Sequence, residues 1–594
     1  MADAGHFALV DGDDGSLLLL TDFRRSIETS DSAEDLAAVF AAVESATSGG
    51  EWVALAVDYE LGACFDPAMA HGSGVFPRLR GWVFGNAECL DAAASERFLA
   101  ARLAEIQAHD RVSGVADLVF SLDAESHATK VERIRHWITE GDCYQVNLTF
   151  PVDFQTYGHP FALYARLRAR QPVRYGAFVQ APDATILSFS PELFFARQDQ
   201  RVVTRPMKGT APRGVSADED AANRAALLAS SKERAENIMI VDLLRNDLGR
   251  LAAPGGVKVE TLCAAEAYPT LWQMVSTVSA DLPGASLFDL FRALFPCGSI
   301  TGAPKIRAMA CIADLEDEPR GLYTGALGWV APGGDCRFNV AIRTMEIDAS
   351  RRARLGIGSG IVIDADPARE YAECRLKAQF LTGFDPGFEL IETMRLEDGV
   401  YPLLSLHIER LAASAHALGF SCDLQAISEA LAETAQACGK GVFRVRLALG
   451  HGGRFSIEHA LMPPEARAWQ VVLADETLDC ADYLLRHKTT ARSRYDRALA
   501  GLAATPEVFD AIFCNTRGEV CEGARSNVYV ERQGILLTPP LSSGLLPGVM
   551  RRHLLESGRA VEHVLYRDDL LKASAIHVSN ALRGLMPVTL WRAC

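Results

Sequence analysis

AENIMIVDLLRND, at residues 235–247, decides how the first half of the chain is interpreted. Ile240, Val241 and Leu244 recur at the spacing of a buried helix face, yet Glu236 lies inside the same apolar stretch. A carboxylate among apolar residues is costly unless it pairs with a cation or binds a metal. The stretch therefore predicts a buried helix whose carboxylate either binds a metal or pairs with an arginine.

A second acidic cluster lies in AREYAECRLK, at residues 368–377. Glu370 and Glu373 are three residues apart, so a helix would carry them on one face. Carboxylates from two helices make a plausible site for Mg²⁺, which completes its octahedron with water and substrate oxygens. The alternative is that both carboxylates face water, as most charged residues on helices do.

A lysine stands out in TRPMKGTAPRG, at residues 204–214. Gly209 and the two prolines predict a tight loop that holds Lys208. Such a lysine is either a surface charge or, when desolvated beside other cations, a nucleophile. Composition alone leaves both possibilities open.

Ordered motifs cover most of residues 115–380. They are GDCYQVNLT (141–149), SFSPELFF (188–195), RPMKGT (205–210), AENIMIVDLLRND (235–247), FPCGSITGAPKIRAM (295–309), RGLYTGALGW (320–329), FNVAIRT (338–344) and GIGSGIV (356–362). Together they resemble the chorismate-utilising enzymes. The resemblance implies a fold of two facing antiparallel sheets with outer helices, chorismate as substrate and Mg²⁺ as cofactor.

The same resemblance implies roles for individual residues. Glu236 and Glu373 would bind Mg²⁺, with Glu370 helping through water, and the metal would aid departure of the ring hydroxyl. The substrate would be held by Arg343 and Tyr323 at its enolpyruvyl carboxylate, by the backbone amides of Gly358 and Gly360, and by Ser299 and Lys377 as further candidates.

Three positions indicate which chorismate enzyme the chain resembles. Gln145 stands where salicylate and isochorismate synthases carry a water-activating lysine; glutamine is not a base, so ammonia is the expected nucleophile. Lys208 stands where anthranilate synthases carry alanine, which resembles aminodeoxychorismate synthase. In that family the lysine is thought to add to the ring before ammonia displaces it. Gln273 replaces a histidine of many relatives, which fits a domain that retains the enolpyruvyl group.

The source of ammonia is expected to lie outside the chain. No cysteine lies in a G-x-C-x-G context, and Cys297 belongs to a chorismate motif. Ammonia would come from solution or from a separate glutamine amidotransferase. LAVDYELG, at 55–62, resembles the segment where some members hold tryptophan, but no tryptophan site is predicted here.

A second ordered set fills the C-terminal third. It comprises ELIETMRLEDG (389–399), PLLSLHIERLAASAHALGF (402–420), FRVRLAL (443–449), RHKTTARSRYD (486–496), NTRGEVCEGARSNVYV (515–530), TPPLSSGLLPGVMRR (538–552) and HVSNALRGLMPV (577–588). The set resembles the fold-type-IV enzymes that use pyridoxal 5'-phosphate (PLP), a family that includes branched-chain aminotransferases and aminodeoxychorismate lyases.

PLP enzymes need a lysine, an acid near the ring nitrogen and a phosphate cup. Lys488 stands at the family lysine position and Glu522 at that of the acid. The phosphate would be held by the fork of Arg410 and by backbone amides at a helix N-terminus. Taken singly, each residue has an ordinary alternative, such as a surface lysine or a turn. The predicted cofactor ligands are Arg410, Lys488, Glu522, Val549, Met550 and Asn580.

Length and composition limit the alternatives. The 594 residues exceed a single core, and 49% hydrophobic with 23% charged residues is typical of a globular protein. A net charge of −17 argues against non-specific nucleic-acid binding. The 14 scattered cysteines fit a reducing cytosol, and residues 1–25 lack a signal pattern. We expect a cytoplasmic protein without membrane spans.

Residues that break helices and strands indicate the domain boundaries. Gly, Pro and Asp interrupt the helical pattern in LTGFDPG, so 381–387 is predicted to be a linker. Residues 1–114 would form the N-terminal part of the first enzyme, 115–380 its catalytic domain, and 388–594 the PLP domain, through which a homodimer is possible. Helices and strands without a regular βαβ rhythm predict an α+β fold in both units.

The two resemblances together predict a bifunctional enzyme. It would aminate chorismate to 4-amino-4-deoxychorismate and then eliminate pyruvate, giving 4-aminobenzoate for folate. One alternative is an anthranilate-type or antibiotic-pathway aminating enzyme fused to a PLP aminotransferase. Another is a non-catalytic scaffold that binds and regulates an amidotransferase.

Overall fold

The structure is a computed structural model that describes residues 5–29, 36–66, 69, 78–268, 271–462, 469–503, 505 and 507–591. Residue contacts divide the chain into two compact units. The first comprises Met1–Ala104, Val119–Gln155 and Tyr164–Thr382, and the second Glu105–Leu118, Thr156–Leu163 and Gly383–Cys594. Within the described ranges, no helix is long and apolar enough to cross a membrane.

The chain up to Thr382 is rich in both strands and helices. Its strands are β1 (Phe7–Asp11), β2 (Leu17–Glu28), β3 (Trp52–Val57), β4 (Leu79–Leu90), β5 (Gly114–Phe120), β6 (Gln145–Tyr157), β7 (Tyr175–Gln180), β8 (Thr185–Ser190), β9 (Leu193–Gln198), β10 (Arg201–Arg205), β11 (Met207–Pro212), β12 (Val257–Ala267), β13 (Leu271–Asp281), β14 (Gly302–Ala303), β15 (Ala326–Val330), β16 (Cys336–Val340), β17 (Thr344–Ile347) and β18 (Arg352–Ile361). Its helices are α1 (Leu36–Ser48), α2 (Gly62–Phe65), α3 (Ala92–Glu105), α4 (Ala124–Thr139), α5 (Pro160–Arg170), α6 (Ala217–Ala229), α7 (Ser231–Gly249), α8 (Leu287–Leu294), α9 (Lys305–Leu315) and α10 (Pro367–Thr382).

Helix α7 forms as its sequence predicts. The Ser230 side chain accepts a hydrogen bond from the backbone amide of Glu233 at 3.3 Å, which caps the first turn. Ile240 and Leu244 are fully buried on the inner face, whereas Glu236 is half-buried at the edge of that face. The helix therefore packs by its apolar face and leaves one carboxylate at the boundary of the core.

The predicted loop around Lys208 is wrong, because the lysine lies in strand β11. Hydrogen bonding to β13 pairs Met207 with Val275 and Thr210 with Gln273. The register shifts between these pairs, and Gly209 within the shift has φ 88°. Ladder pairing thus overrides the local turn preference, and the glycine is accommodated as an irregularity in the strand.

The sequence RFNVAIRTMEI, at 337–347, predicts a single strand, and this prediction is wrong because the segment is divided into β16 and β17. The break contains Arg343, whose φ of 50° lies in the left-handed region. The carbonyl of Arg343 accepts a hydrogen bond from the backbone amide of Phe189 at 3.0 Å. The break turns the chain so that β16 pairs with β9 while β17 pairs with β8.

The largest apolar cluster among the described residues of the first unit contains a group of packed phenylalanines. Phe194 and Phe195 of β9 pack against Phe291 and Phe295 at α8, and Phe338 of β16 closes the cluster. Ring centroids lie 5.1–6.0 Å apart, in the range of favourable aromatic pairs. This packing fixes the strands that carry the N-terminal site.

The elements after Thr382 all belong to the second unit, together with the two earlier segments. Its strands are β19 (Leu390–Glu397), β20 (Val442–Leu449), β21 (Phe455–Leu461), β22 (Trp469–Leu473), β23 (Val508–Cys514), β24 (Val520–Gly523), β25 (Asn527–Arg532), β26 (Ile535–Thr538), β27 (Ala560–Glu562), β28 (Ile576–Asn580) and β29 (Gly584–Leu590). Its helices are α11 (Leu404–Leu418), α12 (Leu424–Cys438), α13 (Ser493–Gly501), α14 (Val549–Glu556) and α15 (Arg567–Lys572).

Two sheets organise the second unit. Strands β19, β20 and β21 form an antiparallel sheet covered by α11. The other sheet has the order β24-β23-β22-β29-β28-β25-β26-β27, and pairing of β24 with β25 closes its first six strands into a ring. Ala116 and Tyr157 belong to the apolar cluster beneath β19 and β20. Mixed α+β architecture with large sheets is therefore confirmed.

Candidate active sites

Lys208 lies where β11 meets the carboxylates of neighbouring elements. Burial lowers the pKa of its amine below the usual value, and Lys377 acts in the same direction. The carboxylates of Glu236, Glu192 and Glu373 oppose that shift. Burial thus favours the neutral amine, which is the nucleophilic form of a lysine.

The predicted metal ligands come from two helices, Glu236 from α7 and Glu370 and Glu373 from α10. Burial raises the pKa of Glu236, and the charge of Glu373 raises it further. In the part of the chain that is described, no group of three His, Cys, Asp or Glu side chains could hold a metal by itself. Mg²⁺ needs only one or two protein carboxylates, so this donor set fits it.

The predicted substrate-binding groups of β18 contact α10 and β6. Lys377 Nζ donates to the carbonyl of Gly358 at 2.8 Å and pairs with Glu373 Oε1 at 2.7 Å. A Cβ on Gly358 would meet a carbonyl of β6 and one on Gly360 would overlap the Gln145 amide. The close approach of β6 is therefore enough to require both glycines.

Arg343 is the predicted carboxylate anchor with the least protein contact. Burial lowers the pKa of its guanidinium. No hydrogen bond or ion pair joins this side chain to the residues that the structure describes. Tyr323, the other predicted anchor, packs on Gly356 and lines a 230 Å³ cavity whose described lining does not include Arg343.

Glu192 is a site residue that the sequence reasoning missed. The residue is 4% exposed and its carboxyl is hydrogen-bonded to Ser299, a predicted substrate ligand. The positive charge of Lys208 interacts with the same carboxyl. Burial raises the pKa of Glu192 to about 7, although Ser299 and Lys208 oppose the rise. Oε1 has no hydrogen-bond partner among the described residues. The residue stands inside the SFSPELFF motif, where an acid between aromatic residues was the available signal.

The two diagnostic glutamines are both buried. Gln145 Nε2 donates to Asn147 Oδ1 at 3.4 Å. Gln273 Nε2 donates to the carbonyl of Gly209 at 2.9 Å. Gln273 therefore fixes the backbone next to Lys208 rather than presenting a titratable group.

A cavity of about 490 Å³ lies in the second unit, within the size range of cofactor sites. Strands β19, β20 and β24, the segment before α13 and the N-terminus of α14 contribute to its lining. The structure brings together on its wall all the cofactor ligands predicted from sequence, namely Arg410, Lys488, Glu522, Val549, Met550 and Asn580. Their assignment as ligands stays a prediction.

Lys488 follows a single helical turn that ends at Arg486. Its carbonyl accepts a hydrogen bond from the backbone amide of Ile391 at 2.8 Å, which joins the segment to β19. Burial lowers the pKa of the Lys488 amine to about 8, and Arg410 and Arg492 contribute to the lowering. A substantial fraction of the amine is therefore neutral near pH 7.

Glu522 lies on β24 with both oxygens occupied. Tyr495 Oη donates to Oε1 at 2.6 Å, and the backbone amide of Leu546 donates to Oε2 at 3.0 Å. Burial raises the pKa of Glu522 to about 7 despite these bonds. The carboxyl is thus fixed in position and can carry a proton at neutral pH.

The guanidinium of Arg410 is fixed by two hydrogen bonds to the buried carboxylate of Glu392. Its Nε and Nη2 donate to the two oxygens of Glu392 at 2.8 and 2.6 Å, and His407 Nδ1 lies 2.6 Å from the same carboxylate. Burial alone would raise the pKa of Glu392, but Arg410 and His407 outweigh it and lower the pKa to about 2. Sequence reasoning missed Glu392 and His407, although both lie in the quoted motifs.

Helix α14 begins at Val549 and exposes its first amides to the cavity. No side chain caps these amides, and the preceding Gly548 packs so closely that a Cβ would overlap Asn527 Oδ1. Uncapped amides at a helix N-terminus suit a phosphate. Asn580 Oδ1 accepts from the backbone amides of Leu582 and Arg583 at 3.2 and 3.0 Å, so it shapes the adjacent turn.

Both units match known families. Residues 19–383 match the family described as chorismate binding enzyme, and residues 389–591 match amino-transferase class IV. The first match spans more than half of the sequence, so the chain belongs to the chorismate binding enzymes. Its C-terminal part carries a class IV aminotransferase domain.

Individual relatives are similar over the first unit. Aminodeoxychorismate synthase component 1 of Bacillus subtilis (strain 168) is 42% identical over 260 residues, 44% of this chain and 55% of that protein. Anthranilate synthase component 1 1 of Haloarcula marismortui is 39% identical over 258 residues, 43% of this chain and 53% of that protein. The chain thus spans about half the length of these curated relatives. The crystal structure of anthranilate synthase component I from Streptococcus pneumoniae TIGR4 has a TM-score of 0.50 at 26% identity, covering 64% of this chain and 90% of that one.

Proposed function

We propose that the chain makes 4-aminobenzoate from chorismate in two steps. The first unit exchanges the ring hydroxyl for an amino group, giving 4-amino-4-deoxychorismate, and the second eliminates pyruvate from that product. The observation that carries the proposal is the half-buried Lys208, whose amine interacts with the charges of the Glu192, Glu236 and Glu373 carboxylates. The relatives named aminodeoxychorismate synthase support the same assignment.

The chemistry of the first site follows from its charges. When bound, Mg²⁺ would stabilise the charge that develops on the leaving hydroxyl, with Glu236 and Glu373 as ligands and Glu370 acting through water. Neutral Lys208 bonds to a ring carbon while the carbon–oxygen bond of the hydroxyl breaks. Glu192, with a pKa of about 7, donates a proton to the departing oxygen.

Ammonia completes the exchange. It forms a bond to the carbon that lost the hydroxyl, and the bond to Lys208 breaks with return of its electron pair to the amine. The net change is ammonia for water, and the enolpyruvyl group is retained. Arg343, which has no described protein partner, binds a substrate carboxylate, with Tyr323, Ser299, Lys377 and the Gly358 and Gly360 amides as further contacts.

The second site suits removal of a proton. When bound, PLP would withdraw electrons through its protonated ring. Lys488, with a pKa lowered to about 8, takes the proton from the amine-bearing carbon of the substrate. Glu522 holds a proton at the ring nitrogen. Arg410, the Val549 and Met550 amides and, nearby, Asn580 line the cavity and would hold the phosphate of the cofactor.

The wider organisation is part of the proposal. The strands from β1 to β18 are joined by antiparallel pairings into one 18-stranded hydrogen-bonded set, which supports the antiparallel part of the expected fold, and its arrangement as two facing sheets with outer helices stays part of the proposal. Helix α10 ends at Thr382 and β19 begins at Leu390, which supports a linker at 381–387 between a catalytic domain at 115–380 and a PLP domain at 388–594. Ammonia comes from a separate glutamine amidotransferase, as the name component 1 of the relatives suggests.

A product assay tests this function. Purified protein loaded with PLP is incubated with chorismate, Mg²⁺ and ammonium, and products are identified by mass spectrometry. We expect 4-aminobenzoate and pyruvate in equal amounts, and neither when ammonium is omitted. Formation of anthranilate, or amine transfer that depends on 2-oxoglutarate, would refute the assignment and support the alternative fusion with an aminotransferase.

A further inference from the structure

Arg446 brings to the second-unit cavity a guanidinium that makes no ion pair within the described residues, although the exposed Glu458 is its cross-strand neighbour on β21. It lies on β20 directly opposite Thr393 of β19, and both side chains line the cavity. Ile391, two residues before Thr393, lines it as well, so this face of the sheet forms one wall. No hydrogen bond or ion pair joins Arg446 to the residues for which the structure gives positions.

The other cations of the cavity are already bound to protein groups. Glu392 holds Arg410, and Asp482 lies 3.4 Å from Arg494. Arg492 donates to Asp496 at 2.9 Å and to the carbonyl of Ala524 at 2.7 Å, while Arg525 Nε donates to the carbonyl of Phe509 at 2.9 Å. Arg494 Nη1 also lacks a hydrogen-bond partner, but its other nitrogen pairs with Asp482, so among these described arginines Arg446 differs in having neither a hydrogen bond nor an ion pair. Its whole guanidinium fork matches the geometry of a carboxylate.

We propose that Arg446 binds a carboxylate of the substrate and selects dicarboxylates over monocarboxylates in this cavity. The inference rests on the proposed function, because 4-amino-4-deoxychorismate carries one carboxylate on its ring and another on its enolpyruvyl side chain. The phosphate ligands and Lys488 are committed to the cofactor, which leaves Arg446 for the substrate. A charge-assisted hydrogen bond of this kind is worth roughly 10-fold or more in Kd.

The chain offers a matched control. Arg444 lies on the same strand and the same face, two residues earlier, but it is exposed and outside the described cavity lining. Arg446→Gln and Arg444→Gln each remove one positive charge from β20. Only the first should change ligand binding in the cavity.

The test is a binding titration of the PLP-loaded protein that requires no turnover. The probes are 3-(carboxymethoxy)benzoate, which has both carboxylates, and 3-methoxybenzoate and phenoxyacetate, which each lack one. Absorbance of the bound cofactor is the readout, since it reports on this cavity and not on the chorismate site. An unchanged starting spectrum shows that a variant has kept its cavity.

We expect Arg446→Gln to weaken the dicarboxylate roughly 10-fold or more, and to leave unchanged the monocarboxylate that lacks the carboxylate bound by Arg446. The monocarboxylate whose affinity does not change lacks the carboxylate that Arg446 binds. It therefore shows whether Arg446 binds the ring carboxylate or the side-chain carboxylate. Equal weakening of all three probes, or none, overturns the proposal, as does the same effect from Arg444→Gln. Failure of the proposed function would appear separately, as absence of 4-aminobenzoate from the unmodified protein.

Discussion

The attachment of PLP to Lys488 in cofactor-free protein should be fast at neutral pH and should rise around a midpoint near pH 8. The neutral amine is the form that reacts with an aldehyde. Burial, helped by Arg410 and Arg492, lowers the pKa of Lys488 to about 8. At pH 7.5 about a quarter of the amines are then neutral, against about a thousandth at the usual value of 10.5, a gain of roughly 200-fold.

The cause of the lowered Lys488 pKa can be tested by a second measurement. Because the positive charge of Arg492 lowers the pKa of Lys488, Arg492→Gln should move the midpoint to higher pH and slow attachment at neutral pH. Arg497→Gln serves as the control, since Arg497 is an exposed arginine of α13 outside the described cavity lining. Stopped-flow absorbance after mixing with PLP, over the pH range in which the protein stays folded, follows both variants. A midpoint near that of an ordinary lysine would refute the reasoning.

Four substitutions separate the two active sites. Lys208→Ala should abolish amination because it removes the nucleophile, yet leave pyruvate release from supplied 4-amino-4-deoxychorismate unchanged, as measured by a coupled lactate dehydrogenase assay. Glu236→Gln and Glu373→Gln should each reduce Mg²⁺-dependent chorismate consumption roughly 10-fold or more without lowering the melting temperature, since each removes a metal-binding charge at constant volume. Lys488→Ala should stop 4-aminobenzoate formation and let the aminated intermediate accumulate, as measured by mass spectrometry, because the base is lost.

Each of these outcomes can fail in an informative way. Full amination by Lys208→Ala would rule out a covalent role for that lysine, whereas a change of product to anthranilate would assign it to regiochemistry. Unchanged Mg²⁺ demand in the two glutamate variants would remove them from the metal site. Loss of chorismate consumption in Lys488→Ala would mean that the two reactions are coupled.

The elements with strong periodicity were predictable from sequence. The helix around Glu236 and the helix that carries Glu370 and Glu373 appear as α7 and α10, because local pattern and tertiary packing favour the same state. The secondary structure around Lys208 and Arg343 was predicted wrongly because there the local pattern and the tertiary packing favour different states. A glycine-proline sequence favours a turn in isolation, but pairing with β13 supplies ladder hydrogen bonds that a loop would lack.

The supporting groups of both sites were less accessible to sequence reasoning. Glu192, Glu392 and Arg446 stand in motifs that also contain structural residues, and nothing in their spacing reveals which face of a strand they occupy. Their roles become visible only in three dimensions. Glu192 has a buried oxygen without a hydrogen-bond partner among the described residues, Glu392 binds the guanidinium of Arg410, and Arg446 lines a cavity. Long-range packing determines all three.

The second compact unit draws two short pieces, Glu105–Leu118 and Thr156–Leu163, from the first third of the chain. Ala116 and Tyr157 are buried in one apolar cluster of this unit, and Tyr157 stacks on Tyr483, so both pieces contribute to the core of that unit. A protein cleaved between α10 and β19 would release a fragment with gaps in its own core, and we expect it to aggregate. One cut at that position therefore leaves the second unit without two segments of its own core, so its folding depends on residues from the first third of the chain.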